Sequence, residues 1–320
     1  MSDLDLFLLS RCYGRTFSDA ELMMGGANRT YRLIADGAPV FLRLYRPYGR
    51  SNAEIAFELR LLREAQPMPG LVVARPIATR NGRDRVRLPF EDTLRNACLF
   101  EALAGRPPTP ARDDQALFGS ALAKLHRALS GIPGGETRPL EPIDLHTRAL
   151  TALAKIPGSQ VVRAAILGHS LDPFRALSLS DLSTGNCHGD AWAGNVLIQD
   201  RTVGFLDFDE CGYGPYLLDL GQAAWRLIVG QDAIPEESLT ALLTGYEMVR
   251  PLVEQERRAL PLFVKLAEIR ALLFLAEFCI LGDLWPRVFE RSIQLLEHDW
   301  LPCRPGAVAA EGGARTPRPR

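Results

Sequence analysis

Lysine is almost missing from this chain. Lys124, Lys155 and Lys265 are the only three in 320 residues, although basic residues total 37. No position before 124 can act as a lysine, so any cationic role in the first third falls to arginine. Net charge is also lacking. With 37 basic and 38 acidic side chains the balance is −1, which leaves no overall electrostatic footprint for nucleic acid. The six cysteines, at 12, 98, 187, 211, 279 and 303, form no C-x-x-C pair. That excludes a zinc knuckle or a thioredoxin-type motif, and the scatter reads as free thiols in a reducing compartment. No long hydrophobic run is present either. The most apolar stretch, 271–281, contains Glu277 and follows Lys265, Glu268 and Arg270, so it reads as a buried helix and not a membrane span. The N-terminus carries Asp3 and Asp5 where a signal peptide needs base. The expectation is a cytoplasmic protein with neither nucleic acid nor membrane as partner, monomeric or homodimeric.

What is present belongs to a globular protein long enough for one large domain or two lobes: 47% hydrophobic and 23% charged residues. The first hundred residues read as strands around one helix. Residues 28–34 and 40–45, joined by a turn at 35–39, form a hairpin. Ser51 and Asn52 offer an N-cap, and Ile55, Leu59 and Leu62 fall at helical spacing, which predicts a helix over 52–65. Shorter strands are expected at 72–77, 85–88 and 97–101. Gly and Pro cluster over 104–110 and mark a lobe boundary. Helices are expected at 113–129, 145–154 and 160–167, strands at 196–198 and 203–206, then helices at 217–229, 236–246, 254–280 and 286–300. Residues 304–320 have no apolar period and read as a disordered tail. The domain expectation is therefore a first lobe over 1–103, a second over 104–303, and the tail.

The chemistry concentrates in Cys187-His188-Gly189-Asp190-Ala191-Trp192-Ala193-Gly194-Asn195, with Asp207 twelve residues further on. This suits phosphoryl transfer, where catalysis is mostly positioning and charge neutralisation. One carboxylate must orient an attacking hydroxyl and accept its proton; Asp190 suits that task. An amide oxygen and a second carboxylate must hold a hard cation such as Mg2+, and Asn195 and Asp207 suit that. Three unrelated turn residues are the bland alternative, which the joint spacing and the following strand pattern oppose.

The spacing resembles the catalytic and metal-binding loops of protein kinases. With His-Gly-Asp it is more similar to the aminoglycoside phosphotransferase and choline kinase family, which includes type II homoserine kinases, fructosamine kinases and a bacterial stress-response protein kinase. The resemblance runs over about residues 20–300. It implies an α+β, bilobal protein-kinase-like fold: a small N-lobe with an antiparallel sheet plus one helix, and a larger, mainly helical C-lobe. It implies ATP and Mg2+. It places Gly25, Gly26 and Asn28 in a phosphate-covering loop, where Gly25-Gly26 is otherwise a plain turn. Arg43 stands where the family pairs a basic residue, usually Lys, with ATP phosphates; Glu58 braces it, or Glu54 one turn earlier. The backbone of Glu101 and Leu103 resembles the adenine-binding hinge, and 122–126 the helix ending in Leu-His. Asp219 matches an aspartate that caps a helix and braces the catalytic loop. Many relatives carry a second His where this chain has Trp192, which either packs under the loop or walls the acceptor pocket. His188 reads as structural, and Asp209 as a metal ligand or an acid standing behind the ligands. The helix at 254–280 is expected to line the acceptor site, with Glu268, Arg270 and Glu277 as contact candidates.

The implied activity is transfer of the γ-phosphate of ATP to a hydroxyl of a small molecule: a metabolite, an amino alcohol or an antibiotic. Only a short stretch separates Asp207 from the helix at 217, so no long activation segment is present. A protein Ser/Thr kinase of the stress-response type is the first rival, and a non-catalytic nucleotide-binding module the second.

Overall fold

The computed structural model describes residues 4–24, 28–229 and 235–298. Helix α1 (Leu6–Tyr13) opens the chain, capped by the Asp5 carboxylate and stopped by Gly14 in the left-handed region. It adds a second helix to the one expected in this part of the chain. Strands β1 (Phe17–Met24), β2 (Arg29–Ala35) and β3 (Ala38–Leu44) follow. The β2–β3 hairpin turns on Asp36 and Gly37, both at positive φ, the conformation that a two-residue turn between twisted strands requires.

Helix α2 (Asn52–Glu64) starts in a capping box between Ser51 and Glu54, as the sequence predicts. The run expected as one strand at 72–77 is divided. Strand β4 (Leu71–Val73) pairs with a later strand, whereas β5 (Pro76–Ile77) joins the first sheet. Strands β6 (Val86–Phe90) and β7 (Thr93–Glu101) complete six antiparallel strands in the order β1-β2-β3-β7-β5, with β6 beside β7.

Beyond Gly105 the chain is mostly helical: α3 (Arg112–Ala128), α4 (Pro142–Leu153), α5 (Gln160–Ile166) and α6 (Asp172–Ala176). Four short strands interrupt the helices: β8 (Thr184–Cys187), β9 (Val196–Gln199), β10 (Thr202–Phe205) and β11 (Gly212–Pro215). Strands β9 and β10 form a hairpin with β4 alongside, and β8 pairs with β11. Helices α7 (Leu217–Ile228), α8 (Glu236–Glu247), α9 (Glu254–Phe278) and α10 (Trp285–Glu297) close the described chain.

One hydrophobic core lies in the sheet, around Leu33, Leu42, Leu44 and Leu99. A second joins the apolar face of α2 to α3, α7, α8 and α9, through Ile55, Leu122, Leu220, Leu242 and Phe263. Helices α3 and α8 touch backbone to backbone, because a Cβ at Gly119 or Gly245 would collide with the facing helix. The site therefore sits between a sheet core and a helical core tied by α2. Among the described residues no helix is long and apolar enough to cross a membrane, and Cys12, Cys98, Cys187, Cys211 and Cys279 are free thiols. Gly25, Gly26 and the 304–320 tail lie outside the described residues.

Candidate active site

The β8–β11 pair and the β9–β10 hairpin converge on the His188-to-Asp209 segments. Gly189 follows β8 with φ of 79°, and a Cβ there would run into the Glu210 carbonyl as the β11 approach passes behind it. Its N–H and that of His188 donate to Asp219, each at 2.7 Å. Asp219 is fully buried and also takes the Nε2–H of His126 at 3.0 Å. Burial pushes the Asp219 carboxyl up, but the His126 bond and the loop N–H groups outweigh it and hold it below the usual range. Burial lowers the His126 pKa against the pull of Asp219, and its Nδ1 pairs with the Tyr246 hydroxyl at 2.8 Å. Asp219 thus braces the loop. It stands in the first turn of α7 and does not cap it, since that helix has no side-chain cap. His188 accepts the Asp190 N–H at Nδ1 and donates from Nε2 to the Leu206 carbonyl at 2.7 Å. Both ring nitrogens are committed to backbone.

Asp190 is set by four side chains. Asn195 Nδ2 donates to its Oδ2 at 2.9 Å and Trp192 Nε1 to the same oxygen at 3.3 Å. Gln222 Nε2 lies 3.4 Å from Oδ1, and Arg270 Nη2 is 3.7 Å from Oδ1. Burial raises the Asp190 carboxyl above its ordinary value, against the pull of Arg270. That direction suits a group that must take a proton. Asn195 points its N–H2 at Asp190, which turns its amide oxygen away as a hard donor. Asp207 has φ of 57°, a strained position for a residue with a side chain, and its carboxylate is about one-third exposed. An amide oxygen and a carboxylate oxygen are the donor types that Mg2+ takes, so the pair fits that ion.

Arg43 joins the two halves. Its Nη1 donates to Glu58 at 2.6 Å and its Nη2 to Asp207 at 2.9 Å. Tyr45 donates its hydroxyl to the other Glu58 oxygen at 3.0 Å. Glu58 is therefore the brace, whereas Glu54 belongs to the capping box and approaches Arg138 and Arg50. Burial pushes the Glu58 carboxyl up to about 7 against the pull of Arg43. Asn28 accepts the Arg46 N–H at 3.0 Å, which fastens the end of β3. The Glu101 N–H is spent on the Arg75 carbonyl at 2.9 Å, leaving only its carbonyl for a hinge role. Glu101 and Leu103 line a separate open hollow with Met68, Val72 and Arg75.

Glu210 and the arginines Arg46, Arg50 and Arg138 were given no role in the sequence reading. Glu210 is approached by Arg50 at 2.6 Å, Arg46 at 3.5 Å, Arg270 at 3.9 Å and Arg138 at 4.0 Å. Asp209 pairs with Arg46 at 3.6 Å and Arg50 at 3.5 Å. Burial would raise its carboxyl, but Arg43, Arg50 and Arg46 hold it below the usual range. A cleft of about 250 Å³ opens beside Asp190, lined by Gly189, Glu210, Gln222 and Arg270 and also by Glu141, Asp144 and Arg148. Helix α9 lines it through Phe263, Leu266, Ala267 and Arg270. Of the three α9 candidates only Arg270 reaches the site, where it also bonds the Gly189 carbonyl. Glu268 is turned inward onto Trp225 and Ser292, and Glu277 pairs with Arg148. Gln222 had one readable sign: it lies one turn after Asp219 on α7.

Comparison with known proteins gives this arrangement its class. An amicoumacin kinase solved with AMP-PNP, Ca2+ and amicoumacin superposes with a TM-score of 0.73 at 18% identity, covering 92% of this chain and 94% of that one. A microcompartment-associated aminopropanol kinase gives 0.62 at 22%, covering 87% and 90%. These likenesses establish the kinase-like fold. In sequence, residues 21–260 match the phosphotransferase enzyme family, and the chain belongs to that family. It is 32% identical over 287 residues to a homoserine kinase of Rhodospirillum rubrum, covering 85% of this chain and 84% of the relative. It is 31% identical over 264 residues to an uncharacterized protein of Deinococcus radiodurans, covering 80% and 77%. The protein is a phosphotransferase of a small-molecule kinase family, with an alcohol group as acceptor.

Proposed function

We infer that this enzyme moves the γ-phosphate of ATP to a hydroxyl of a small molecule seated in the cleft beside Asp190. The observation that carries the reading is the Asp190 carboxylate, fixed by Asn195 and raised by burial, at the edge of a cleft of about 250 Å³. In this reading Asp190 orients the acceptor hydroxyl and takes its proton as the oxygen attacks phosphorus. Asn195 and Asp207 hold Mg2+, which when bound neutralises the phosphate charge of the donor. Arg43 aligns Asp207 and faces the phosphates. Gly25, Gly26 and Asn28 belong to the covering loop, and Glu101 and Leu103 to the adenine edge. The chain divides at 103/104 into a nucleotide lobe and an acceptor lobe. The AMP-PNP and divalent cation of the amicoumacin kinase support ATP and a metal as the pair used.

The acceptor is a compact hydroxyl compound bearing both charges. The cleft presents Arg148 and Arg270 together with Glu141, Asp144 and Glu210, which suits a zwitterion better than a polycation. The homoserine kinase relative points within that class to a hydroxy amino acid. Between Asp207 and α7 only nine residues intervene, too few for the long activation segment of a protein kinase.

The test is label transfer from γ-labelled ATP with Mg2+ into the small-molecule and protein fractions of a cell extract, beside an Asp190→Asn variant. Label entering a small molecule is expected, with kcat lowered about 10²- to 10⁴-fold in the variant. Label entering only protein, or equal transfer by the variant, would overturn the reading.

A further inference from the structure

Asp190 receives more donors than its role in proton transfer needs, and one of them has no part in metal or phosphate binding. Trp192 Nε1–H lies 3.3 Å from Asp190 Oδ2, the oxygen that also takes Asn195. The indole has two neighbours besides Asp190. A Cβ on Gly194 would collide with the benzo edge of the ring, so that edge rests on the Gly194 backbone. The Arg226 guanidinium lies 4.6 Å from the ring centroid, within cation–π range. Arg226 stands one turn beyond Gln222 on α7. The ring thus rests against both the 193–195 turn and α7, with its N–H on Asp190.

The two carboxylate oxygens are consequently unequal. Oδ2 takes two N–H donors from inside the loop. Oδ1 faces Gln222 and Arg270, both of which line the cleft. We propose that Trp192 is a positioning residue: its indole N–H, with that of Asn195, pins Asp190 Oδ2 and thereby presents Oδ1 to the acceptor hydroxyl. The inference rests on the phosphotransfer reading for Asp190. Trp192 bonds Oδ2, whereas the cleft-lining Gln222 and Arg270 face Oδ1, so Trp192 acts through Asp190.

The experiment compares Trp192→Phe, which keeps an aromatic ring and loses the N–H, with Gly194→Ala, which keeps the N–H and pushes the ring off its seat. Loss of one hydrogen bond to a charged group is expected to lower kcat about 10- to 100-fold, with KM for ATP and acceptor within about twofold. Gly194→Ala is expected to match it, and the double variant to be no slower than Trp192→Phe alone, since both remove one interaction. Native kcat in Trp192→Phe, additive losses in the double variant, or a raised acceptor KM with kcat intact would overturn the proposal. A second readout needs no turnover. In protein labelled with ¹⁵N-tryptophan, the Trp192 indole signal is assigned by its loss in Trp192→Phe. It should move upfield in Asp190→Ala. A signal that stays put would show that the N–H does not bond Asp190, even if transfer is normal. If native protein transfers no phosphate while the signal moves, the fault lies with the functional reading and not with the bond.

Discussion

Replacing Arg43 by methionine should be among the most damaging single changes in the first hundred residues. The guanidinium is nearly buried, and its two nitrogens serve Glu58 at 2.6 Å and Asp207 at 2.9 Å. Glu58 is 1% exposed, so Arg43→Met strands a carboxylate that water cannot reach. Breaking a buried pair from one side costs about 3–5 kcal/mol. At about 2–4 °C per kcal/mol for a domain of this size, the melting temperature should fall by roughly 6–20 °C. The deficit should also depend on pH. The Glu58 carboxyl sits at about 7 in the folded protein, above its ordinary value, so its charging costs stability as pH rises toward 7. Without Arg43 its folded value climbs further, and the cost continues to accumulate above pH 7. The variant should therefore trail the native protein least near pH 5–6, where Glu58 is protonated in both, and most at pH 8. Calorimetry is the right assay, because Trp192, Trp225, Trp285 and Trp300 all lie in the second half of the chain and report little of the sheet. Arg43→Met/Glu58→Leu should recover most of the loss. A deficit below about 1 kcal/mol at pH 8, or a double variant as unstable as the single one, would refute the buried-pair argument.

Gly189→Ala should abolish transfer and lower the melting temperature, because the new Cβ meets the Glu210 carbonyl at a backbone φ of 79°; native activity in that variant would show that the loop has room. Asp114 accepts both Arg106 nitrogens and two groups of Thr109. The Arg106 bonds first, helped by Thr109 and opposed by burial, hold its carboxyl below the usual range. Its folded pKa is depressed, so its contribution is present above about pH 4 and fades as pH falls further. Chemical denaturation at pH 7 and pH 3 should accordingly show a gap between native protein and Asp114→Asn that is narrower at pH 3.

The parts of the fold that were legible in the sequence are those where a local pattern is also the cause. The β2–β3 hairpin has alternating strands and an Asp-Gly turn, and α2 has its Ser51 cap and apolar spacing. Strand β1 was not legible, because Asp19 at φ of 54° and register shifts on either side of Glu21–Leu22 break its alternation. Strands β8 and β11 read Thr-Gly-Asn-Cys and Gly-Tyr-Gly-Pro. Neither composition favours extended structure, and only their mutual pairing makes them strands. The run at 72–77 could not announce that its halves belong to different sheets, since that division is set by tertiary pairing with β10 and β7.

The site follows the same rule with one addition. Asp190, Asn195 and Asp207 lie within eighteen residues, so spacing alone exposed them. Arg270 and Gln222 come to Asp190 from distant helices, so the sequence offered Arg270 only as one of three candidates on its helix and Gln222 only by its place one turn after Asp219. The addition is arginine itself. The scarcity of lysine is a property of composition, yet the geometry makes use of it. A single ammonium on β3 could not serve Glu58 and Asp207 from two separate nitrogens as Arg43 does. Arg46 and Arg50, from the segment before α2, and Arg138 and Arg270, from the helical half, all approach Glu210. The loop bearing Asp207, Asp209 and Glu210 is therefore gripped from both sides of the cleft, and Asp207 keeps its strained backbone because forked cations surround the carboxylates next to it.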